Sequence, residues 1–235
     1  MGKLGVIGGM GPMATQLFYK NIIEMTDAKS DQEHIDMIIL SHASVPDRTT
    51  AIKGGETNKV FNVLLEDAKM LEENNVSAIA IPCNTSHFFW EKLQSEVNVP
   101  IINMVRETVI SIKNKNPDIK KIGLLATDGT VFTKIYNKEC DALGIECVTP
   151  DDDVQKVVMD IIYNQIKKGE IGSMSDFEKI DIFLKKSGCE SAILACTELS
   201  CFKANHELTD FYVDAMQVLC EKSILMCDGN LKNGG

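Results

Sequence analysis

The sequence opens twice. Lys3-Leu4-Gly5-Val6-Ile7-Gly8-Gly9-Met10-Gly11 returns as Lys121-Ile122-Gly123-Leu124-Leu125-Ala126-Thr127-Asp128-Gly129. Each copy is an apolar run that reads as a buried strand and ends in small residues and glycine. Each is followed, after a similar length, by a second apolar run that ends in cysteine. These runs are Val76-Ser77-Ala78-Ile79-Ala80-Ile81-Pro82-Cys83 and Ser191-Ala192-Ile193-Leu194-Ala195-Cys196. Such a repeat restricts the chain to two similar α/β halves related by an approximate two-fold. In parallel α/β sheets the reacting groups sit at the carboxyl ends of strands. Two thiols are therefore expected to face one cleft.

The intervening segments fit alternating strands and helices. Pro12 suits a first helical position, and Met13 to Met25 reads as a helix. Ile35 to Leu40 reads as a strand and Ser41 to Glu56 as a long loop. Thr57 to Glu73 is helical by period, with Val60, Leu64, Ala68 and Leu71 on one face. Ser86 to Glu96 is expected as a helix capped near Asn84 or Thr85, Val99 to Ile102 as a short strand and Val105 to Lys113 as a helix. The polar stretch 114–118 connects the halves. The second half reads as helix 131–143, strand 145–148, helix 153–168 stopped by Gly169, and helix 175–186 before the second cysteine strand. Tyr212 to Met226 reads as a last helix, and 228–235 as a frayed tail.

Bulk properties narrow the function. No apolar run approaches a bilayer span, and the start goes directly into a strand, unlike a signal peptide. The expected location is cytoplasmic. The eight cysteines contain no C-x-x-C pair and no zinc spacing. Cys140, Cys147, Cys189, Cys201, Cys220 and Cys227 read as reduced, buried small hydrophobes. A net charge of −10 argues against nucleic acid or an anionic membrane as partner.

A thiol can serve as general acid and its thiolate as general base, because its pKa lies near neutrality. A helix that starts just after a cysteine aims backbone N–H groups at the sulfur. Cys83 before Asn84-Thr85-Ser86 has this context, and Cys196 before Thr197-Glu198 has it too. By spacing alone either thiol could equally be a buried apolar group. Gly9-x-Gly11-x-x-Ala14 satisfies the dinucleotide fingerprint by letter. The acidic residue that should end the second strand is absent from Leu40-Ser41-His42, so the turn suits a substrate carboxylate better than a dinucleotide. Arg48 could clamp a carboxylate with two parallel hydrogen bonds or be an ordinary surface arginine. Lys167, just ahead of Gly169, reads first as a helix-end cation. His34, His42, His87 and His206 form no metal spacing; His87 is either a partner for Cys83 or a polar residue of the helix that follows it.

Several motifs taken in order resemble the aspartate/glutamate racemase family, and within it the aspartate racemase branch. They are Gly8-Gly9-Met10-Gly11-Pro12, Pro46-Asp47-Arg48-Thr49, Pro82-Cys83-Asn84-Thr85, Gly123-Leu124-Leu125-Ala126-Thr127, Ile166-Lys167-x-Gly169 and Cys196-Thr197-Glu198. The resemblance runs through most of the chain. It implies two similar Rossmann-like parallel-sheet half-domains related by a pseudo-two-fold, with the active site in the cleft between them. Residues 1–103 and 209–235 would form the first domain and 104–208 the second.

It further implies a homodimer that acts on a small amino acid, aspartate or glutamate, without pyridoxal phosphate, metal or other cofactor. Cys83 and Cys196 would be the paired acid and base on opposite faces of Cα. Asn84, Thr85, Thr127 and Thr197 would hold the α-carboxylate and amino group. Arg48 and Lys167 would hold the side-chain carboxylate, which replaces the helix-end reading of Lys167. Met10 and Glu198 would complete the substrate pocket. Asp128 departs from the small neutral residue expected beside Thr127, and its charge would oppose acid binding if it faced the cleft. A maleate isomerase-like or decarboxylase-like enzyme of the same superfamily, or a non-catalytic amino-acid-binding relative, would use the same scaffold.

Overall fold

Each half of the chain builds its own parallel sheet, and the two sheets are wired alike. In the computed structural model, which describes residues 1–232, β1 (Lys3–Gly8) lies between β2 (Asp36–Ser41) and β3 (Ala78–Ala80). In the second half β4 (Lys121–Ala126) lies between β5 (Glu146–Val148) and β6 (Ser191–Ala195), and β7 (Tyr212–Asp214) pairs with the outer edge of β6. Strand direction of travel therefore reverses at β1 and again at β4. A crevice opens at such a switch point, outside the carboxyl ends of the strands. The loops after β1 and β3, and those after β4 and β6, border these crevices. They carry Met10, Cys83, Thr127 and Cys196.

Eleven helices accompany the strands among the described residues. The first half contains α1 (Pro12–Met25), α2 (Arg48–Gly54), α3 (Thr57–Glu73), α4 (Trp90–Gln94) and α5 (Met104–Lys115). The second contains α6 (Asp128–Thr133), α7 (Ile135–Ala142), α8 (Asp152–Asp160), α9 (Met174–Lys186), α10 (Thr197–Asn205) and α11 (Ala215–Met226). The sheets are covered on both faces, so their strands are apolar throughout. On the inner faces, Leu4, Val6, Ile122, Leu124, Ile193 and Ala195 join one apolar cluster with Phe18 of α1, Val109 of α5 and Leu219 of α11. The outer face of the first sheet packs Ile7 and Ile79 against Leu64 and Leu71 of α3. The outer face of the second packs Leu125 and Leu194 against Phe177, Ile180 and Leu184 of α9. The shared inner cluster fixes how the two crevices face each other.

Several elements differ from the sequence reading, each for a local reason. The expected loop 41–56 contains α2. Asp47 caps it by accepting from the Thr50 N–H at 2.8 Å, and Gly55 ends it at φ 75°. The expected helix 131–143 is two helices that meet at Lys134, which takes φ 54°. The first starts early because Thr127 caps the Thr130 N–H. Residues 99–102 form no strand, only a bridge between Ile79 and Ile101. After Cys83 the chain makes a tight 3-10 turn, Thr85–Phe89, before the short α4. Helix 153–168 begins as α8 and loosens into wider and then tighter turns, but it does stop at Gly169, φ 89°. Tyr212–Asp214 is strand rather than helix, with Asp214 capping α11 through the Met216 N–H. Residues 212–214, expected in the first domain, therefore extend the second sheet. The tail is tied down as far as it is described: Asp27 N–H bonds to Asn230 C=O, and Lys232 N–H to Met25 C=O. Residues 233–235 lie outside the described part.

Candidate active site

The glycine turn after β1 is built by close packing. Gly9 holds φ 86°, and a Cβ there would lie 2.5 Å from the His42 backbone. Only glycine can bring this turn so near the end of β2. The turn delivers Met10 to a small cavity between the halves. Its lining includes all ten residues expected from the sequence: Met10, Arg48, Cys83, Asn84, Thr85, Thr127, Lys167, Cys196, Thr197 and Glu198. Asp47, Thr49 and Tyr163 complete it. Asp47 and Thr49 flank Arg48, and Tyr163 precedes Lys167 by one helical turn, a spacing that puts two side chains on one face.

The two thiols occupy opposite electrostatic settings. Cys83 follows the β3 segment, and it lines the cavity together with Arg48, whose pKa it helps to raise. Arg48 is buried. Burial opposes its charge, but Cys83 first and then Asp47 outweigh this, so its pKa is raised. Two carbonyls, Val45 and Pro46, accept from its Nη1, while its Nε is buried without a partner. Cys196 ends β6 just ahead of α10. Its thiol donates to Glu198 Oε2 at 3.0 Å. Burial first, and then Glu198, push its pKa well above the ordinary thiol value, against the pull of the Glu198 backbone N–H and of Lys167. Glu198 also closes on the opposite half, since a Cβ on Gly11 would stand 3.1 Å from its Oε1.

Polar groups of both halves meet around the cavity. The hydroxyls of Thr85, Thr127 and Thr130 form a ring, with Thr85 at 3.0 Å from Thr127 and 2.9 Å from Thr130. Asn84 Oδ1 accepts from the Tyr136 hydroxyl at 2.5 Å, while Asn84 Nδ2 is buried without a partner. Lys167 Nζ stands 4.0 Å from Asp47 Oδ2 and 4.0 Å from the centre of the Tyr163 ring. The Tyr163 hydroxyl reaches Asp47 Oδ2 at 3.1 Å and Thr49 Oγ1 at 3.3 Å. These contacts tie α2 to the helix that follows α8, so the cation expected to meet substrate is already paired across the cavity mouth.

Two residues have other tasks than the sequence allowed for. His87 is buried and takes no part in the cavity. It accepts the Met104 N–H on Nε2 at 3.1 Å, which leaves Nδ1–H to donate to the Cys83 carbonyl at 3.0 Å. Burial lowers its pKa and holds it neutral. It braces the cysteine's backbone rather than its sulfur. Asp128 does not line the cavity. It points to a neighbouring groove, paired with Lys53 Nζ at 3.2 Å and Gln155 Nε2 at 3.0 Å. The charge that stood against acid binding is thus neutralised outside the site. Among the described residues, no three His, Cys, Asp or Glu side chains are placed to hold a metal ion, and no helix is long and apolar enough to cross a membrane.

A family profile of Asp/Glu/Hydantoin racemases matches residues 7–222. The fold is similar to Picrophilus torridus aspartate racemase, with TM-score 0.83 and 27% identity over 99% of this chain and 96% of that one. It is also similar to an aspartate racemase homologue from Pyrococcus horikoshii, with TM-score 0.77 and 26% identity over 97% of this chain and 100% of that one. A broad-specificity amino-acid racemase from Bacillus subtilis is 30% identical over 152 residues, which are 63% of this chain and 64% of that protein.

Proposed function

The chain belongs to the Asp/Glu/hydantoin racemase family, and we propose that it interconverts L- and D-aspartate, and glutamate as the related acid, by proton transfer at Cα between Cys83 and Cys196. One observation carries this reading: thiols at the ends of strands in two separate sheets line the same buried cavity, one against a guanidinium and the other against a carboxyl group. Inversion at carbon needs a base on one face and an acid on the other. The halves of the chain supply one each.

In one direction the Cys83 sulfur, with Arg48 beside it as counter-charge, removes the Cα proton. The Cys196 thiol delivers its proton to the opposite face, and the C–H bond broken is replaced by its mirror image. The other direction starts from the state this one leaves: the Cys196 thiolate removes the Cα proton and the Cys83 thiol returns one to the opposite face. Cα beside a carboxylate is a weak acid, so the negative charge that develops must be met by donors already in place. Asn84 Nδ2 and Arg48 Nε are buried with no partner. A buried donor left unmatched costs about 1–3 kcal/mol, and the two carboxylates of a dicarboxylic amino acid would satisfy one each. Asn84, Thr85, Thr127 and Thr197 serve the α-carboxylate and amino group. Arg48 and Lys167 serve the distal carboxylate, with Met10 as the apolar wall. The names of the similar proteins, aspartate racemase and broad-specificity amino-acid racemase, support an amino-acid substrate.

The test is proton NMR in heavy water with L-aspartate, D-aspartate, L-glutamate and D-glutamate given separately. Loss of the Cα signal together with formation of the opposite enantiomer is expected for aspartate. No exchange with any of the four by folded, reduced protein would overturn the reading.

A further inference from the structure

We infer that Tyr136 is a positioning residue, which sets the orientation of the Asn84 amide and so presents a hydrogen-bond donor to the substrate carboxylate. The inference rests on the reading of the cavity as an amino-acid carboxylate site. Tyr136 lies on α7 in the second half and is fully buried. Asn84 follows Cys83 in the first half and is 2% exposed. Their contact crosses between the halves, with the phenol donating to Oδ1 at 2.5 Å.

The chemistry of a primary amide makes this contact decisive. Asn presents an acceptor at one end of its amide and two donors at the other. A phenol has a single proton to give. Once that proton goes to Oδ1, Nδ2 is the end left for a ligand: Asn84 lines the cavity, and its Nδ2 is buried without a partner. Rotating the amide by half a turn would put Nδ2 against the hydroxyl and aim Oδ1 into the cavity. A substrate carboxylate would then face lone pairs instead of N–H groups. Burial keeps the Tyr136 phenol protonated far above neutral pH, so the donor persists at any pH at which the protein is folded. Because phenol and amide come from different halves, the carboxylate donor is correctly aimed only when the halves are closed together. Tyr136 does not line the cavity, so its influence is on orientation and not on the reacting atoms.

A double-mutant cycle separates positioning from general support of the fold. Tyr136→Phe keeps the ring and its packing and removes only the hydroxyl. In the otherwise native protein it is expected to lower kcat/KM by about tenfold, the worth of one well-placed hydrogen bond, chiefly through KM. In the Asn84→Ala background, where no amide remains to be turned, Tyr136→Phe is expected to cause no further loss. Asn84→Asp is the second variant: it keeps the acceptor that Tyr136 needs but replaces the cavity-facing donor, and is expected to lose at least as much as Asn84→Ala. Equal losses from Tyr136→Phe in both backgrounds, or native activity in Asn84→Asp, would overturn the assignment. If the unsubstituted protein itself exchanges no Cα proton, the racemase reading fails and this inference fails with it. Exchange by the unsubstituted protein with additive losses defeats the Tyr136 assignment alone.

Discussion

The Cys196 thiol donates to Glu198 Oε2 across 3.0 Å, and both residues are buried at the cavity wall. No comparable carboxyl contact is made by Cys83, which meets Arg48 instead. The site is thus electrically lopsided although the fold around it is nearly two-fold. In the proposed mechanism this contrast makes Cys196 the thiol that begins as the acid.

The lopsidedness has a pH signature. Burial and the Glu198 carboxyl group raise the Cys196 pKa, so Cys196 keeps its proton to higher pH than an ordinary thiol. When Cys83 acts as base, activity requires that proton, and the alkaline limb of the kcat/KM profile reports its loss. Glu198→Gln removes the neighbouring negative charge, lowers the Cys196 pKa, and moves the alkaline limb to lower pH. It also weakens the hydrogen bond that holds the Cys196 thiol, so kcat falls by about tenfold, the worth of one such bond. An alkaline limb that stays in place or moves upward would show that Glu198 does not act on Cys196. L and D substrates are equal in energy, so kcat/KM must fall equally in both directions. The asymmetry is read from the pH profile.

Arg48 is held by two backbone carbonyls, with Nε buried and unmatched. Hydrogen bonds to charged groups are worth about 1.5–3 kcal/mol each. Arg48→Ala is therefore expected to raise KM for aspartate by roughly 10- to 100-fold. Arg48→Lys is expected to recover little of it, because an ammonium cannot reproduce the planar fork. A KM unchanged in Arg48→Ala would remove this residue from substrate binding.

Closure of the halves depends on a missing side chain. A Cβ on Gly129 would lie 2.8 Å from the Thr49 Cα, a backbone atom that cannot step aside. Gly129→Ala should push α2 away from α6 and carry Arg48 with it. Displacements near 1 Å at positioned groups can cost on the order of 10²-fold in rate. The prediction is a comparable fall in kcat/KM with the thermal midpoint lowered by only a few degrees, measured by steady-state kinetics and by thermal unfolding. Native kinetics in Gly129→Ala would mean that the two helices are not held at this distance in solution.

Much of this was legible in the sequence, because the signals were local. The repeated strand-and-glycine openings, the cysteines after apolar runs and the helix 57–73 all depend on neighbours in the chain. Eight of the ten expected cavity residues lie at the ends of β1, β3, β4 and β6, while Arg48 opens α2 and Lys167 precedes Gly169. What was hidden depends on contacts between the halves or on caps. Tyr136 reads as an ordinary helical residue until its hydroxyl meets Asn84, 52 positions earlier. Tyr163 matters only because Asp47 and Thr49 reach it from α2. Two caps were readable and missed: Asp47 three residues before Thr50, and Asp214 two residues before Met216. The first would have found α2. The second would have split the last helix from β7 and placed residues 212–214 with the second sheet. The break at Lys134 has no glycine or proline to announce it, and nothing in its surroundings explains it.

The central claim is that two thiols work as a pair across one cavity. The measurement that tests it most directly is heavy-water NMR of aspartate with Cys83→Ser and Cys196→Ser, each compared with the unsubstituted protein. Serine keeps the shape but is far too weak an acid to take over as base at neutral pH. Each single variant is expected to lose racemisation by at least about 10²-fold, since each removes one of two obligatory proton carriers. Racemisation at the native rate in either variant would contradict the account.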